Sequence, residues 1–212
     1  MNFFIKKNKK SNKIIKMALG GTLLFVPLLA SCSQAQMDSY WDAHGGEENF
    51  EVSNGKVLHI SDTEKRYTVI GNLSDICLYG AQEACKEANR FSNINITFSN
   101  VNVYSDFVFD NYTTTKGVYV TNDFEYYSST GEIYASTILY NDFLMSFCTQ
   151  DEAVHSSLHA MGATLGLKEL NDDNLKGYSV MYNPIDAAGI TFTTFGEWDI
   201  NNILSYYGGT YS

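Results

Sequence analysis

Residues 149–167 (TQDEAVHSSLHAMGATLGL) constrain the fold more than any other part of the 212-residue sequence. Apolar residues recur there at helical spacing, and Thr149, followed closely by acidic residues, can cap the start of a helix. Gly166 can end that helix. Because His155 and His159 are four residues apart, they lie on the same helix face. The sequence therefore predicts one capped helix that presents two imidazoles on one side.

The residues after His159 carry a known pattern. Residues 159–169 (HAMGATLGLKE) resemble the segment HExGHxLGLxH of the metzincin zinc peptidases, with the first histidine, both glycines and the Leu-Gly-Leu turn retained. In that family the two histidines bind zinc, the glutamate is the general base, and the chain turns back to supply a third ligand. The resemblance makes His159 the first ligand and Glu169 the third. It places the vacated general-base position at Ala160 and the vacated second-ligand position at Ala163.

Two later segments carry the same resemblance. Residues 179–184 (SVMYNP) are similar to the Met-turn of matrixin-like metzincins, which makes Met181 the floor of the site. Residues 199–208 (DINNILSYYG) resemble the terminal helix of that family, often written DIxxIxxLYG. The resemblance implies an α+β, metzincin-like catalytic domain. Such a domain has a mixed, mostly parallel sheet with an antiparallel edge strand, an active-site helix, the Met-turn and a C-terminal helix.

A second frame for the ligands starts at His155. Residues 155–159 (HSSLH) also place two histidines at i and i+4, so His155 is an alternative ligand, and the pair would support residual hydrolysis. This frame puts Ser156 at the glutamate position and Leu165 at the third-ligand position, and we therefore prefer the first frame. A surface or core position is otherwise the commonest fate of such a histidine. The sequence holds two further histidines for which that is the expectation: His44 and His59.

The two alanines decide what the resemblance implies for function. Ala160 offers no acid or base, and Ala163 removes a direct zinc ligand, so zinc, the cofactor of the parent family, is expected to bind weakly or not at all. The prediction is a metallopeptidase by ancestry that is inactive as written, whether the alanines arose by drift or by design. The alternative is a module that binds peptides or a host protein without cutting them. The resemblance places the substrate antiparallel to the strand at residues 131–140, taken as the edge strand.

The start of the chain has the order of charge and hydrophobicity of an export signal. Six lysines precede an apolar run at residues 17–30, which is shorter than the roughly 20 residues of a membrane span. The run closes on residues 29–32 (LASC), which resemble the lipobox of bacterial lipoproteins, so Cys32 is predicted to carry the lipid. An ordinary cleavable signal is the alternative. We divide the chain into a signal peptide (1–31), a flexible tether (32–55) and a metallopeptidase-like domain (56–212), exported and lipid-anchored to the bacterial cell surface or envelope.

Charge and cysteine content limit the partners. All 24 acidic residues follow Cys32, whereas only eight basic residues do, a formal charge of −16 for the exported part. We therefore expect no nucleic-acid partner, but a peptide or protein and, through the lipid, the membrane. The other three cysteines permit at most one disulfide, and its pairing stays open: Cys77, Cys85 and Cys148.

The remaining periodicities predict a single α+β domain. Runs of β-branched and aromatic residues predict strands at residues 65–70, 94–103, 105–109 and 131–140. Helical spacing predicts two further helices, at residues 76–91 and 196–206. The resulting order is β-α-β-β-β-α-loop-α, with a long irregular segment before the last helix.

Overall fold

The computed structural model describes residues 49–60, 64–99, 106–182 and 191–212. The predicted signal peptide, Cys32, His44 and residues 32–48 of the predicted tether lie outside the described residues. The end of the predicted Met-turn segment, residues 183–184, also lies outside them, as do residues 100–103 and 105 of the two predicted middle strands. No helix in the described ranges is long and apolar enough to cross a membrane.

The described residues form short N-terminal strands, a main sheet and helices. The strands are β1 (Val52–Ser53), β2 (Lys56–Val57), β3 (His59–Ile60), β4 (Glu64–Val69), β5 (Asn95–Phe98), β6 (Phe107–Tyr112), β7 (Val120–Tyr126) and β8 (Glu132–Asn141). The helices are α1 (Asp75–Ala88), α2 (Asp142–Met145), α3 (Gln150–Thr164) and α4 (Glu197–Tyr207), with a 3₁₀ turn at Asp173–Leu175. The predicted long helices are confirmed as α1, α3 and α4, with ends shifted by a few residues.

The main sheet is mostly parallel. Its order is β3-β8-β6-β4-β5, and these neighbours are all parallel, whereas β7 pairs with β8 antiparallel. The predicted α+β class, with a mostly parallel sheet, an antiparallel edge strand and a C-terminal helix, is confirmed.

The identity of the edge strand differs from the prediction. Strands β6 and β7 both pair with residues 136–140 of β8, so they occupy its two opposite edges. The prediction that residues 131–140 form the edge strand is therefore wrong. The antiparallel edge strand is β7, for which the sequence predicted no strand, and β5 forms the opposite edge of the sheet.

Helices α1 and α3 pack against each other and cover one face of the sheet. That face is built from side chains that alternate along β6 and β8, and the rings of Phe107, Phe109 and Tyr140 are fully buried there. Burial of each such ring stabilises the fold by about 1.5–3 kcal/mol. The Tyr140 hydroxyl lies 2.9 Å from Oγ of Ser157 and links the sheet to α3. The sheet therefore holds α3 in a fixed position.

Residues 49–60, which we call the N-terminal segment, belong to the folded domain. Phe50 is only 1 % exposed, forms a bridge with Leu167, and its ring lies 4.6 Å from that of Tyr206. The amide of Glu51 donates to the carbonyl of Gly166 at 2.8 Å. The domain therefore begins at or before residue 49, earlier than the predicted boundary between residues 55 and 56.

Candidate active site at the end of helix α3

Helix α3 begins and ends as its sequence predicts. Oγ1 of Thr149 accepts from the amide of Glu152 at 3.3 Å, and the Glu152 carboxylate accepts from the amide of Thr149 at 2.7 Å. At the other end Gly166 has φ = +95°, and a Cβ there would lie 2.0 Å from the carbonyl oxygen of Leu58. Only glycine fits this turn, which reverses the chain toward Glu169.

Met181 lies directly against α3. Its side chain is fully buried, and a Cβ on Gly162 would lie 2.6 Å from its Sδ atom. The amide of Met181 donates to Oγ of Ser179 at 2.9 Å, and its carbonyl accepts from the amide of Leu170 at 3.0 Å. The absence of a side chain at residue 162 thus lets the predicted floor residue approach the helix closely.

His159 is oriented by the segment that carries Met181. Its Nδ1 donates to the carbonyl of Val180 at 2.8 Å, which leaves the lone pair of the neutral ring on Nε2. Nε2 lies 4.0 Å from Oε1 of Glu169, whose side chain is largely exposed. The structure therefore places Glu169 near His159 and joins the His159 ring to Val180, the residue before Met181. A backbone carbonyl on the second ring nitrogen is one of the partners by which proteins orient a metal-binding histidine.

A buried carboxylate that the sequence analysis did not single out holds this segment. Oδ1 of Asp199 accepts from the Ser179 hydroxyl at 2.5 Å, and Oδ2 accepts from the amides of Val180 at 2.8 Å and Gly196 at 2.9 Å. Burial raises the pKa of Asp199 to about 7, although these three hydrogen bonds lower it. The signal in the sequence is its position three residues after Gly196, in the first turn of α4, where acidic residues accept free amides.

The positions of the two alanines differ in exposure. Ala160 is 3 % exposed, whereas Ala163 is half-buried. Neither side chain has a donor or acceptor. Within the described residues, no group of three or more His, Cys, Asp or Glu side chains is placed to hold a metal. His159 and Glu169 supply two ligands where a catalytic zinc has three, so these residues do not complete a zinc site.

The edge strand is joined to α3 beside the first alanine. Nδ2 of Asn122, on β7, donates to the carbonyl of Ala160 at 3.1 Å and to Oγ1 of Thr164 at 2.8 Å. Its Oδ1 accepts from the hydroxyl of Ser136 at 2.8 Å. The side-chain amide therefore has partners for both hydrogens and for its oxygen, and it fixes the edge strand relative to the helix.

His155 is placed differently from His159. It is 2 % exposed, and its Nδ1 accepts from the amide of Phe192 at 3.0 Å, so in the neutral ring Nε2 carries the hydrogen. A nitrogen that carries hydrogen has no lone pair for a metal, so this geometry does not favour the frame that starts at His155. His59 lies in β3, where its Nδ1 is 3.0 Å from the carbonyl of Val57.

Cys77 and Cys85 are free thiols buried on α1, and burial raises the pKa of Cys77 to about 11. Such thiols remain protonated at neutral pH and are poor nucleophiles.

Comparison with known proteins gives a likeness of fold. No protein-family model and no curated protein sequence matches the chain. Among solved structures, it is similar to a structure of myroilysin, with a TM-score of 0.48 and 14 % sequence identity over 73 % of this chain and 97 % of that chain.

Proposed function

We propose that this chain is a metzincin-type zinc-peptidase domain that has lost peptide-bond hydrolysis and is held at the bacterial envelope by a lipid on Cys32. The orientation of His159 carries the proposal. Its Nδ1 is fixed by Val180, its Nε2 lies 4.0 Å from Glu169, and the buried Met181 follows Val180 in the same segment. This is how a histidine is held for a metal, in a segment whose sequence resembles that of metzincins, yet two of the required side chains are missing.

The missing groups account for the loss of activity. With alanine at position 160 no side chain takes the proton from an attacking water, and such assistance is typically worth about 10²- to 10⁴-fold in rate. With alanine at position 163 the remaining two ligands hold zinc weakly or not at all. The two losses act on the same reaction, so either one alone suffices to make hydrolysis very slow.

Restoring the two side chains tests this proposal. Zinc content after dialysis and cleavage of a mixed peptide library are measured for the unchanged protein, Ala160→Glu, Ala163→His and the double variant. We expect Ala163→His to raise zinc affinity at least about 10-fold, because even the loss of a residue that orients a ligand costs 10- to 100-fold. We expect cleavage only in the double variant. Full zinc occupancy with chelator-sensitive cleavage in the unchanged protein would refute the proposal.

A second candidate function is peptide binding without cleavage. Within the described residues β7 pairs only with β8, so the outer edge of β7 presents backbone amides and carbonyls to an extended peptide. Asn122 holds this strand against α3, beside the site.

Backbone-methylated peptides test strand addition from the ligand side. We expect unmodified peptides from a library to bind the detergent-solubilised full-length protein. Two sets of peptides carry N-methyl groups at alternate residues, one set at the odd positions and the other at the even positions. Only one of the two sets should lose binding, because a strand bonds its neighbour through every second amide. Equal affinity for both methylated registers would argue against an added strand.

A further inference from the structure

Two tyrosines pack on each other at the surface beside the turn between β7 and β8. The ring centroids of Tyr127 and Tyr134 lie 4.5 Å apart, and Tyr127 is 51 % exposed. Tyr134 is half-buried, and its hydroxyl donates to the carboxylate of Glu125 at 2.8 Å. We call Tyr127 and Tyr134 the tyrosine pair. The pair presents apolar ring surface together with phenolic hydroxyl groups.

The N-terminal segment packs directly against this turn. The amide of His59 donates to the carbonyl of Gly131 at 3.2 Å. The hydroxyl oxygens of Ser53 and Tyr126 lie 2.5 Å apart, so the hairpin formed by β1 and β2 contacts the end of β7. Val52, in the same hairpin, is 50 % exposed. The tyrosine pair therefore lies beside the segment with which the described part of the domain begins.

The attachment to the membrane would start from the same place. Ser53 is four residue steps from Asn49, a distance of at most about 14 Å. With the proposed lipid on Cys32, the 16 residues 33–48 would join the acyl chains to Asn49. A tethered surface meets its partner at a high effective concentration, so even a weak affinity for lipid suffices close to the point of attachment.

The chemistry of the turn selects one kind of membrane contact. Tyrosine is enriched at membrane–water interfaces, where its ring enters the apolar boundary and its hydroxyl stays in water. Residues 120–134 contain three acidic residues and no lysine or arginine. Attraction to anionic headgroups, which requires basic residues, is therefore not available to this turn. Insertion of tyrosine rings into a zwitterionic interface is available.

A second exposed aromatic pair lies elsewhere and serves as a comparison. Phe143 and Phe147 are 38 % and 72 % exposed, with ring centroids 5.3 Å apart. They follow the other end of β8, whose ten residues span about 30 Å. They also precede the start of α3, whereas the carbonyl of Asn49 accepts from the amide of Lys168, just beyond the end of that helix. Helix α3 has 15 residues and is about 22 Å long, so this pair is far from the start of the described chain.

We propose that the tyrosine pair is a second membrane contact, which inserts into the headgroup region of a zwitterionic bilayer. The inference rests on the proposed lipid on Cys32 and deepens it. The lipid and its tether limit the distance of the domain from the membrane, but they do not set its orientation. The tyrosine pair would set the orientation by holding the turn between β7 and β8 against the bilayer.

Tryptophan variants and brominated lipids test this contact. Tyr127→Trp and its matched control Phe147→Trp are made in full-length protein that carries Trp41→Phe, so that no tryptophan remains in the tether. The one remaining tryptophan, Trp198, is 1 % exposed and is common to both variants. Each protein is reconstituted into phosphatidylcholine vesicles, with or without bromine on the acyl chains next to the headgroup. We expect bromine to quench the fluorescence of Tyr127→Trp and to leave that of Phe147→Trp almost unchanged.

Two failures of this experiment are distinguishable. Mass spectrometry of the mature N-terminal peptide shows whether Cys32 carries the lipid. A lipidated protein in which bromine quenches Tyr127→Trp no more than Phe147→Trp would overturn this inference alone. A protein without lipid on Cys32 would overturn the anchoring proposal as well.

Acetylation of tyrosines tests the same contact without a substitution in the domain. The water-soluble reagent N-acetylimidazole is applied to the lipidated protein on phosphatidylcholine vesicles and to Cys32→Ser in solution. The internal control is Tyr79 on α1, which is 37 % exposed. We expect vesicles to lower the acetylation of Tyr127 and not that of Tyr79. Equal acetylation of Tyr127 in the two samples would contradict the proposal.

Discussion

Nδ1 of His159 donates a hydrogen bond to the carbonyl oxygen of Val180 at 2.8 Å. The amide of the same valine donates to the buried carboxyl of Asp199, also at 2.8 Å. The orientation of the candidate metal-binding imidazole therefore depends on a side chain in the C-terminal helix, 40 residues further along the chain. Changes at Asp199 should alter both the stability of the domain and the geometry at His159.

Asp199 should make stability depend on pH. Burial raises its pKa from 3.8 to about 7, so between these values the folded chain holds a proton that the unfolded chain has released. The contribution of this group to the free energy of unfolding therefore falls as the pH rises from about 4 to about 7. In Asp199→Asn the amide imitates the protonated acid, with its oxygen toward the amides of Val180 and Gly196 and its NH₂ toward Ser179. Urea unfolding should show the Asn variant gaining stability relative to the unchanged protein across that range, and a constant difference would contradict the prediction.

Asp199→Ala is the matched variant that removes the acceptors. The amides of Val180 and Gly196 lose their buried partner, and we expect a loss of about 2–4 kcal/mol in the free energy of unfolding. The Asn variant should lose much less at pH 5. Equal losses in the two variants at that pH would mean that Asp199 does not act through these hydrogen bonds.

The two glycines of the site should respond differently to alanine. At Gly166 the new Cβ meets the backbone oxygen of Leu58 and φ is +95°, so we expect a loss of about 3 kcal/mol or more. At Gly162 it meets the flexible side chain of Met181, and the higher helix propensity of alanine, worth about 1 kcal/mol, offsets part of the strain. Denaturant titration should place Gly162→Ala within about 1 kcal/mol of the unchanged protein. A cost at 162 as large as that at 166 would show that Met181 cannot move aside.

Asn122 should couple the edge strand to α3. Asn122→Leu removes the donors to Ala160 and Thr164, and we expect a loss of about 1–3 kcal/mol. A double-mutant cycle with Thr164→Val measures the interaction energy between the side chains at positions 122 and 164, which we expect at about 0.5–3 kcal/mol. Strictly additive effects of the two substitutions would indicate that the contact has no energetic role.

The exposure of the two alanines predicts unequal stability costs when the lost side chains are restored. Ala160 is 3 % exposed, so a glutamate there brings a charge to a buried position, and we expect a loss of about 2 kcal/mol or more. Ala160→Gln, of almost equal size, separates charge from volume and should cost less at pH 7. Ala163→His enters a half-buried position and should cost less than Ala160→Glu. Thermal unfolding distinguishes these cases, and equal values for Glu and Gln at position 160 would contradict the assignment of the cost to charge.

Cys32 should anchor the protein in the membrane. Acylation makes the full-length protein partition into the detergent phase, and Cys32→Ser should move it to the aqueous phase. Unchanged partitioning of the variant would contradict the lipoprotein assignment.

The parts of the fold that the sequence predicted are those set by local interactions. The cap joins Thr149 and Glu152, which are three residues apart, and the turn at Gly166 depends on the conformation of one residue. The alternation of buried and more exposed side chains along β6 and β8 follows from burial of one face of the sheet. Each of these signals lies within a few consecutive residues, so a pattern in the sequence records it.

The features that the sequence did not predict depend on distant parts of the chain. β7 has Asn122 in its inward-facing row, where an apolar residue is expected, because the amide bonds to α3 across 38 residues. The position of β8 inside the sheet follows from strand order and not from its own residues. Residues 49–55 are polar and glycine-containing, like a tether, and only the burial of Phe50 against the site turn shows that they are folded.

The burial of Phe50 also limits how far the domain can work from the membrane. If Cys32 carries the lipid, at most the 16 residues 33–48 separate the anchor from the folded part, because the chain is already packed at Asn49. Even fully extended, the 17 residue steps from Cys32 to Asn49 span no more than about 60 Å, at 3.3–3.6 Å per residue. With that anchor, Asn49 would stay within this distance of the membrane surface, and the tether length would limit the domain to partners near the bilayer.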